Sequence, residues 1–327
     1  MALERQTAKT WKALVTSGVK FTYSIRYLFN CAVLCALVAM DARAQQPGLP
    51  AGSRMINMDG HELHVLYQGL ENRKPGRPVI VFEAGLMHSM DVWAKILPQV
   101  AIFAPVVAYD RAGLGRSVWN EQTPTPEYIT KRLHELLRQV GAEPPYLLVG
   151  HSWGGTLARY FAGYHPDDVA GIVYVDPGPI ATQSMAEQLA PFDSIGAGKD
   201  GYDAMWSGFA TALEGASAAG KAELKVMRSL MERDKNDRDL KPAPDVPVVV
   251  LMAAKPYPPF LQLPYDHQAH FDADLRHRIR MLQEWALASP KGTLVVSNHT
   301  THAMPREDPD LVMWAIMRVL SAIPTKP

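Results

Sequence analysis

The sequence predicts an α/β fold: a mostly parallel, twisted sheet with flanking helices and a helical cap insertion. Three observations lead to this prediction. Short runs of residues alternate with helical patterns along most of the chain, nearly all of these runs are continuously apolar, and one long segment carries helical patterns alone. Strands of a parallel sheet are covered on both faces, so they appear as continuous apolar runs rather than as alternating ones.

The composition is that of a globular protein without an excess of charge. The chain has 327 residues, of which 47% are hydrophobic, and its 33 basic side chains balance its 33 acidic ones. A chain of this length can bury a full core without disulfides or metals. Because there is no basic excess, we expect no nucleic-acid partner.

The strands and helices are predicted from their patterns of apolar residues. Residues 61–67 alternate polar and apolar side chains, which indicates an antiparallel strand with one face toward water. The continuous apolar runs are at residues 78–82, 105–109, 146–149, 171–175, 246–252 and 293–296. Helical patterns are at residues 126–140, 154–164, 275–288 and 309–320. Strands and helices in alternation form βαβ units, which produce a mostly parallel sheet.

Residues 177–245 interrupt this alternation. They contain no convincing strand pattern, and their helical patterns are at residues 185–189, 204–213 and 221–233. A connection of this length without structure of its own is rare inside a compact domain. We therefore predict a helical cap at 177–245 on an α/β core of residues 45–176 and 246–327. An ordinary pair of connecting helices with long loops is the alternative.

Residues 1–44 have the pattern of a secretory signal peptide. Five Lys and Arg side chains up to Arg26 precede an apolar stretch at 27–40, and Ala42 and Ala44 form an A-x-A cleavage site. We expect an exported protein, periplasmic or secreted. An uncleaved N-terminal anchor, which would attach the protein to a membrane, is the alternative, although a membrane span needs about 20 apolar residues.

The cysteines lie only in this N-terminal segment. Cys31 and Cys35 both fall within residues 27–40. After cleavage the protein would have no cysteine, so we expect neither a disulfide nor thiol chemistry.

The segment Gly150-His151-Ser152-Trp153-Gly154 is a G-x-S-x-G motif between a strand pattern and a helical pattern. In that context the motif forms a sharp turn that exposes a nucleophilic serine. Glycines on either side avoid Cβ clashes where the chain turns tightly. The helix that follows points free N–H groups toward a developing oxyanion. The pattern therefore indicates Ser152 as a nucleophile.

From about residue 53 to residue 322, the chain resembles the α/β-hydrolase fold family. Besides the serine motif, the segment YDRAGLGRS at residues 109–117 is similar to the loop after the fourth strand in this family. We interpret the polar residues of that loop as structural, so Asp110 is not our candidate for the catalytic acid. The resemblance implies an acyl-cleaving serine hydrolase whose triad follows the order serine, acid, histidine.

The resemblance also implies two main-chain donors for an oxyanion hole. One is the N–H of the residue after the nucleophile, Trp153, and the other is the N–H of Leu86 in the loop after the third strand. Gly85 fits the glycine of the family's H-G-x pattern, but Ala84 stands where the family has histidine. His88 lies nearby, and both substrate contact and a structural role are open for it.

The base is expected on a late loop of the chain. Family members often have a histidine six residues before an Asp-Pro pair, and His302 matches this spacing before Asp308 and Pro309. His299 lies three residues earlier and is the alternative.

The acid of the family usually follows the seventh strand, where no carboxylate appears until Asp266. Asp176 instead ends the sixth strand, which resembles an alternative placement in some members. Since the two strand ends are neighbours, a carboxylate there can still reach the histidine ring. We therefore predict Asp176, with Asp266, Asp272 and Asp274 as alternatives.

Two classes of function follow from these residues. The first is a serine-dependent hydrolase of a carboxylic ester or related acyl compound, with amidase, aminopeptidase and lactonase activities as alternatives. The serine argues against family members that open epoxides, because those use aspartate at this position. The second class is a non-catalytic member that binds a small molecule or a partner.

The expected partner is a small-molecule acyl substrate, whose identity the sequence leaves open together with the oligomeric state. We expect no cofactor. His267 and His270 are spaced as a metal-binding pair could be, but no third ligand is apparent, so no metal site is expected either.

Overall fold

The computed structural model describes residues 52–178, 182–234, 236, 238–256 and 262–324. The prediction of a signal peptide or anchor at residues 1–44 lies outside these residues. The strands are β1 Ser53–Met58, β2 His61–Gln68, β3 Val79–Glu83, β4 Val106–Tyr109, β5 Tyr146–His151, β6 Val169–Val175, β7 Val248–Ala253 and β8 Thr293–Ser297. They form one sheet in the order β1-β2-β4-β3-β5-β6-β7-β8. Strand β2 is antiparallel to β1 and β4, and the other neighbouring pairs are parallel.

Helices cover both faces of this sheet. They are α1 Leu97–Val100, α2 Pro126–Gln139, α3 Trp153–Tyr164, α4 Met185–Asp193, α5 Gly198–Ala212, α6 Ala218–Glu232, α7 His267–Leu287, α8 Met304–Glu307 and α9 Pro309–Ala322, with short 3-10 helices at Met90–Trp93 and Pro166–Asp168. The predicted fold class, a mostly parallel sheet with flanking helices, is confirmed. No helix within the described residues is both long and apolar enough to cross a bilayer.

Alternate side chains of the central strands enter two separate cores. Val81 of β3 packs in the cluster that contains Leu157 of α3, whereas Phe82 packs in the cluster that contains Ile316 of α9. All residues of β3 and β5 are buried. Each fully buried large apolar side chain contributes about 1.5–3 kcal/mol relative to exposure. Burial on both faces is the reason that these strands read as uninterrupted apolar runs.

Two helix starts show how local sequence positions these elements. Thr125 accepts a hydrogen bond from Tyr128 N–H at the start of α2, and Asp308 accepts one from Leu311 N–H at the start of α9. Both helices begin with proline, whose missing N–H costs no hydrogen bond at that position.

The sequence patterns miss β1 and the first part of α7. Strand β1 has exposed side chains at half of its positions, so it shows neither a continuous nor an alternating apolar pattern. Helix α7 begins at His267 instead of residue 275. Asp266 caps it by accepting hydrogen bonds from the N–H groups of Gln268 and Ala269. The polar residues of the first two turns hide the helical pattern.

The segment between β6 and β7 contains helices α4, α5 and α6. No strand occurs in the described residues of this segment. Phe192, Tyr202 and Trp206 form a buried cluster of their own there. These aromatic side chains therefore pack against one another, and Phe192 also contacts Tyr265 and His270 outside the segment. The limits of a cap at 177–245 stay a prediction.

Candidate active site

Ser152 lies at a sharp turn between β5 and α3. Its backbone has φ 55° and ψ −120°, a conformation that residues with a side chain rarely adopt. Two hydrogen bonds hold the turn, from Ser152 N–H to the Val175 oxygen (3.0 Å) and from Gly155 N–H to the Ser152 oxygen (2.9 Å). The strand–turn–helix context expected for the motif is therefore present.

Two glycines allow main-chain segments to meet behind the serine. A Cβ atom on Gly154 would lie 2.2 Å from the main-chain oxygen of Glu83, and one on Gly150 would lie 2.4 Å from the main-chain oxygen of Gly154. Such distances are far below van der Waals contact, so only glycine fits at either position. The start of α3 is thereby held against the end of β3.

We expect Gly154→Ala to lower the free energy of unfolding by about 1–3 kcal/mol, as overpacking of a filled site does. The clash is with main-chain atoms, which cannot rotate away. Urea unfolding followed by circular dichroism measures the change. Gly215→Ala is the matched control, because a Cβ atom there meets nothing within 4 Å. Equal stability of the two variants would contradict the close approach at Gly154.

Three of the predicted residues form one hydrogen-bonded chain. Ser152 Oγ lies 2.9 Å from His302 Nε2, and His302 Nδ1 lies 2.6 Å from Asp176 Oδ2. These residues follow β5, β8 and β6, whose carboxyl ends share one edge of the sheet. With the proton on Nδ1, the imidazole donates to Asp176 and its Nε2 accepts the hydroxyl proton of Ser152. This arrangement can activate a serine hydroxyl.

Asp176 is a buried carboxylate with partners on both oxygens. It is 1% exposed, and its Oδ1 accepts from Ala253 N–H (2.8 Å) and from Arg278 Nη2 (2.5 Å). Burial alone would raise the pKa of this carboxyl, but the Arg278 cation, His302 and the Ala253 N–H together lower it well below its usual range. Asp176 is therefore ionised at neutral pH.

Arg278 is a member of this arrangement that the sequence patterns do not indicate. It lies on α7, which packs against β7 and β8. Arg276 and Arg280 of the same helix are exposed, whereas Arg278 reaches Asp176. Because α7 shows a weak apolar periodicity, its sequence does not tell which of these arginines faces the sheet.

Two main-chain N–H groups belong to residues near Ser152. Trp153 opens α3, where N–H groups have no acceptor within the helix and the helix dipole favours negative charge. Leu86 follows Gly85 in the loop after β3, and a Cβ atom on Gly85 would lie 3.3 Å from Ser152 Cβ. Within the described residues, Leu86 N–H has no hydrogen-bond acceptor. Trp153 and the Gly85–Leu86 segment, which carry the two predicted oxyanion donors, therefore lie next to Ser152.

Two more histidines pack behind this group. His151 Nε2 donates to the main-chain oxygen of His302 (2.8 Å), which holds the loop that carries His302. Burial lowers the pKa of His151 well below its usual range, and it lowers the pKa of His88 to about 4. Both rings are therefore neutral, and they stack with centroids 6.0 Å apart. His151 stands inside the serine motif, but the motif alone does not reveal this contact.

Among the described residues, the alternative base and acids take no part in the hydrogen bonds that join Ser152, His302 and Asp176. The side chain of His299 is 68% exposed and pairs with Asp308 at 2.9 Å. Asp266 is engaged in capping α7. Asp272 and Asp274 lie on the same helix, and Asp272 accepts from a glutamine side chain of its first turn.

Asp110 ties the loop after β4 to its surroundings. It is buried and accepts hydrogen bonds from His64 Nδ1 (2.9 Å), Met90 N–H (2.7 Å) and Arg116 N–H (3.0 Å). These contacts fit the structural interpretation of the YDRAGLGRS segment.

Within the described residues, one group could hold a metal ion, namely His134, His165 and Asp168, whose ligand atoms lie within 4.8 Å of one another. None of them takes part in the hydrogen-bonded chain that begins at the serine. His270, one of the pair considered from the sequence, packs instead against Phe192, with ring centroids 4.3 Å apart.

Known proteins resemble this chain in sequence over part of its length. The sequence model of the alpha/beta hydrolase fold family matches residues 78–239. The uncharacterised protein YqjL of Bacillus subtilis is 33% identical over 125 residues, which covers 38% of this chain and 47% of YqjL. Lipase LipV of Mycobacterium tuberculosis is 34% identical over 119 residues, which covers 36% of this chain and 42% of LipV. The chain thus matches less than half the length of these relatives.

A solved structure resembles most of the chain. The thermophilic esterase of Thermogutta terrifontis has a TM-score of 0.56 at 22% identity, and the match covers 84% of this chain and 100% of that chain. At this identity the likeness is one of fold. Together with the family match and the sheet topology, it shows that the chain belongs to the α/β-hydrolase fold family.

Proposed function

We propose that this protein is a serine hydrolase that cleaves carboxylic esters or related acyl compounds. The chain of hydrogen bonds from Ser152 through His302 to Asp176, at 2.9 and 2.6 Å, supports this best. A serine, a histidine and a buried ionised carboxylate in this order are what nucleophilic acyl transfer requires. Family membership and the lipase among the relatives support the same class of reaction.

In the first half of the reaction, Ser152 Oγ attacks the acyl carbonyl carbon while His302 Nε2 takes the hydroxyl proton. Asp176 holds the imidazole tautomer and stabilises the imidazolium that forms. The carbonyl oxygen becomes an oxyanion, which the N–H groups of Leu86 and Trp153 bind. Collapse of the tetrahedral intermediate expels the alcohol, which takes the proton from His302, and leaves an acyl group on Ser152.

In the second half, water attacks the acyl group and gives its proton to His302 Nε2. The same N–H groups bind the second oxyanion. When this intermediate collapses, the carboxylic acid leaves and Ser152 Oγ recovers its proton from His302. His302 accepts and returns the proton in both halves, and main-chain N–H groups of this protein bind both oxyanions.

Two assays on the purified protein test this function. A fluorophosphonate probe should label the folded wild type at Ser152, and p-nitrophenyl esters from acetate to laurate should be hydrolysed, with the best chain length reporting the size of the acyl site. If the protein is labelled but hydrolyses none of these esters, Ser152 remains the nucleophile, and amides, lactones and peptides are the substrates to assay next. If the folded protein is neither labelled nor active, the proposal is wrong and a non-catalytic binding role is favoured.

We expect Arg278→Gln to lower kcat/KM by about 10-fold at neutral pH, because a hydrogen bond to a charged group contributes about 1.5–3 kcal/mol. Losing the cation raises the pKa of Asp176. On acidification the variant therefore loses activity at a higher pH than the wild type does. A pH–rate profile measures both effects.

Arg280→Gln is the matched control for this prediction, since Arg280 is exposed on the same helix. Its profile should coincide with that of the wild type. If the acidic limb of Arg278→Gln also coincides with it, Arg278 does not control the ionisation of Asp176.

A further inference from the structure

A buried ion cluster lies beside the loop that carries Leu86. It consists of Arg111 from the loop after β4, Glu83 from the end of β3, and Glu223 from α6; we call it the Arg111 cluster. The three residues are 4%, 4% and 2% exposed. Arg111 Nη1 lies 2.7 Å from Glu83 Oε1, and Arg111 Nε lies 2.5 Å from Glu223 Oε1.

Buried charges are costly unless they are paired and fully hydrogen-bonded. The planar guanidinium of Arg111 is paired in this way. Its Nε and Nη2 both donate to the carboxylate of Glu223, and its Nη1 donates to the carboxylate of Glu83. The second oxygen of Glu83 accepts from the Tyr109 hydroxyl at 2.7 Å. The guanidinium is therefore fixed in position and in plane from two sides.

The same guanidinium also holds the loop after β3. Arg111 Nη1 donates to the main-chain oxygen of Ala84 and Nη2 donates to that of Gly85, both at 2.7 Å. The Gly85 oxygen and the Leu86 N–H belong to one planar peptide unit, in which they point in opposite directions. The Gly85 oxygen also accepts from His88 N–H at 3.1 Å. Held on Arg111 and in this turn, it directs the Leu86 N–H away from the cluster. That peptide passes close to Ser152, as the 3.3 Å distance from a Cβ on Gly85 to Ser152 Cβ indicates.

Glu223 holds the next part of the same loop. Its Oε2 accepts a hydrogen bond from Met87 N–H at 3.0 Å. Met87 has φ 61°, a left-handed conformation that a residue with a side chain adopts only when its surroundings hold it. Glu223 lies on α6, in the helical segment between β6 and β7. One carboxylate of that segment thus contacts both Arg111 and the loop after β3.

We propose that Arg111 and Glu223 are positioning residues that orient the Gly85–Leu86 peptide, so that the Leu86 N–H is aimed at the oxyanion only while α6 is docked. The hydrogen bond to the Gly85 oxygen also polarises the peptide, which makes its N–H a stronger donor. Neither side chain touches the reacting atoms; both act through the main chain of Leu86. The proposal rests on the proposed function, because it needs an oxyanion at Ser152.

The test combines steady-state kinetics with a boronic acid inhibitor. A boronic acid bonds to Ser152 Oγ and places a boronate oxygen where the oxyanion forms. It therefore reports the orientation of the Leu86 N–H without turnover. Loss of one complete oxyanion donor lowers kcat by about 10²–10³-fold, so a donor that is only misaimed should cost less.

We expect Glu223→Gln to lower kcat by about 10-fold and Arg111→Lys by about 50-fold, below the roughly 10²-fold loss of a whole donor. KM for the best p-nitrophenyl ester should stay within about threefold, because ground-state binding is not affected. The inhibition constant of the boronic acid should rise by the same factor as kcat falls. Circular dichroism and the thermal midpoint show whether each variant folds.

Matched controls come from the exposed pair Arg228 and Glu232 on the same helix, which are linked at 2.8 Å. Glu232→Gln and Arg228→Lys should leave kcat and the inhibition constant unchanged. The proposal is overturned if folded Glu223→Gln keeps both constants within twofold of the wild type. It is equally overturned if kcat falls while the boronic acid binds as before. Should Arg111→Lys not fold, Glu223→Gln alone decides.

Failure of this proposal is distinguishable from failure of the proposed function. A wild type that a fluorophosphonate does not label would end the proposed function. If the wild type is labelled and active, and the Glu223→Gln variant hydrolyses the ester at the same rate, only the role assigned to the Arg111 cluster is wrong.

Discussion

Replacing Ser152 by alanine is expected to lower kcat for ester hydrolysis by about 10⁴–10⁶-fold, the loss typical of removing the nucleophile of a triad. The covalent path disappears, because alanine has no hydroxyl to replace Ser152 Oγ, which lies 2.9 Å from His302 Nε2. A residual rate above that of water can persist, since the Leu86 and Trp153 N–H groups still bind an oxyanion. Fluorophosphonate labelling should vanish altogether.

The comparison needs a serine that is chemically equivalent but remote. Ser207 is exposed on α5, and Ser207→Ala should keep wild-type activity and labelling. Thermal midpoints of both variants separate a chemical loss from a folding loss. A folded Ser152→Ala protein that hydrolyses the esters as fast as Ser207→Ala would contradict the nucleophile assignment.

The parts of the fold that were predictable are those that lie between two cores. Strands β3 to β7 are apolar at nearly every position because helices cover both faces, and this pattern survives in the sequence without any knowledge of tertiary contacts. Strand β1 lies at the sheet edge and has exposed side chains at half of its positions. Its pairing with β2 depends on tertiary contacts, which no local sequence pattern indicates.

The residues of the candidate site differ in the same way: some are indicated by the local sequence, and others depend on tertiary packing. The glycines that its turn requires indicate Ser152, and the resemblance to the family implies His302 through its spacing to Asp308. Arg278, by contrast, depends on which side of α7 faces the sheet. Glu223 depends on where α6 docks. Those facts are set by packing between elements that are distant in the chain, so the sequence alone cannot provide them.

The choice between Asp176 and Asp266 is intermediate between these cases. In the sequence, Asp176 directly ends a strand pattern and Asp266 is the first carboxylate after the next one, but the sequence supplies no distance to the histidine. The structure brings Asp176 within 2.6 Å of His302, whereas Asp266 caps a helix. The neighbouring order of β6, β7 and β8 explains how a carboxylate after β6 reaches a histidine after β8.

Replacing Asp176 by asparagine should lower kcat by about 10⁴-fold, the loss expected when the amide stabilises the wrong imidazole tautomer. The side chain keeps its shape, so Ser152 and His302 stay in place. What is lost is the buried negative charge that accepts the Nδ1 proton of His302 and stabilises its cation. Kinetics with the best ester measure the change.

Asp266→Asn is the matched control, because asparagine is as good a helix cap as aspartate. This variant should keep nearly full activity. The opposite result, with Asp266→Asn inactive and Asp176→Asn active, would exchange the two assignments.

The same substitution of Asp176 should also reveal the linkage between its ionisation and folding. Asp176→Asn removes the buried carboxylate that pairs with Arg278, and removing one partner of a buried ion pair costs at most about 3–5 kcal/mol. The pKa of Asp176 is lowered in the folded state. Its ionised carboxylate therefore contributes fully to the free energy of unfolding at pH values above the unfolded pKa of about 4. This contribution is lost as the pH falls toward the pKa of the folded state. The difference in unfolding free energy between wild type and variant should therefore be largest near neutral pH and shrink in acid. A difference that stays constant down to pH values well below 4 would mean that the carboxylate is not held ionised by Arg278 and His302.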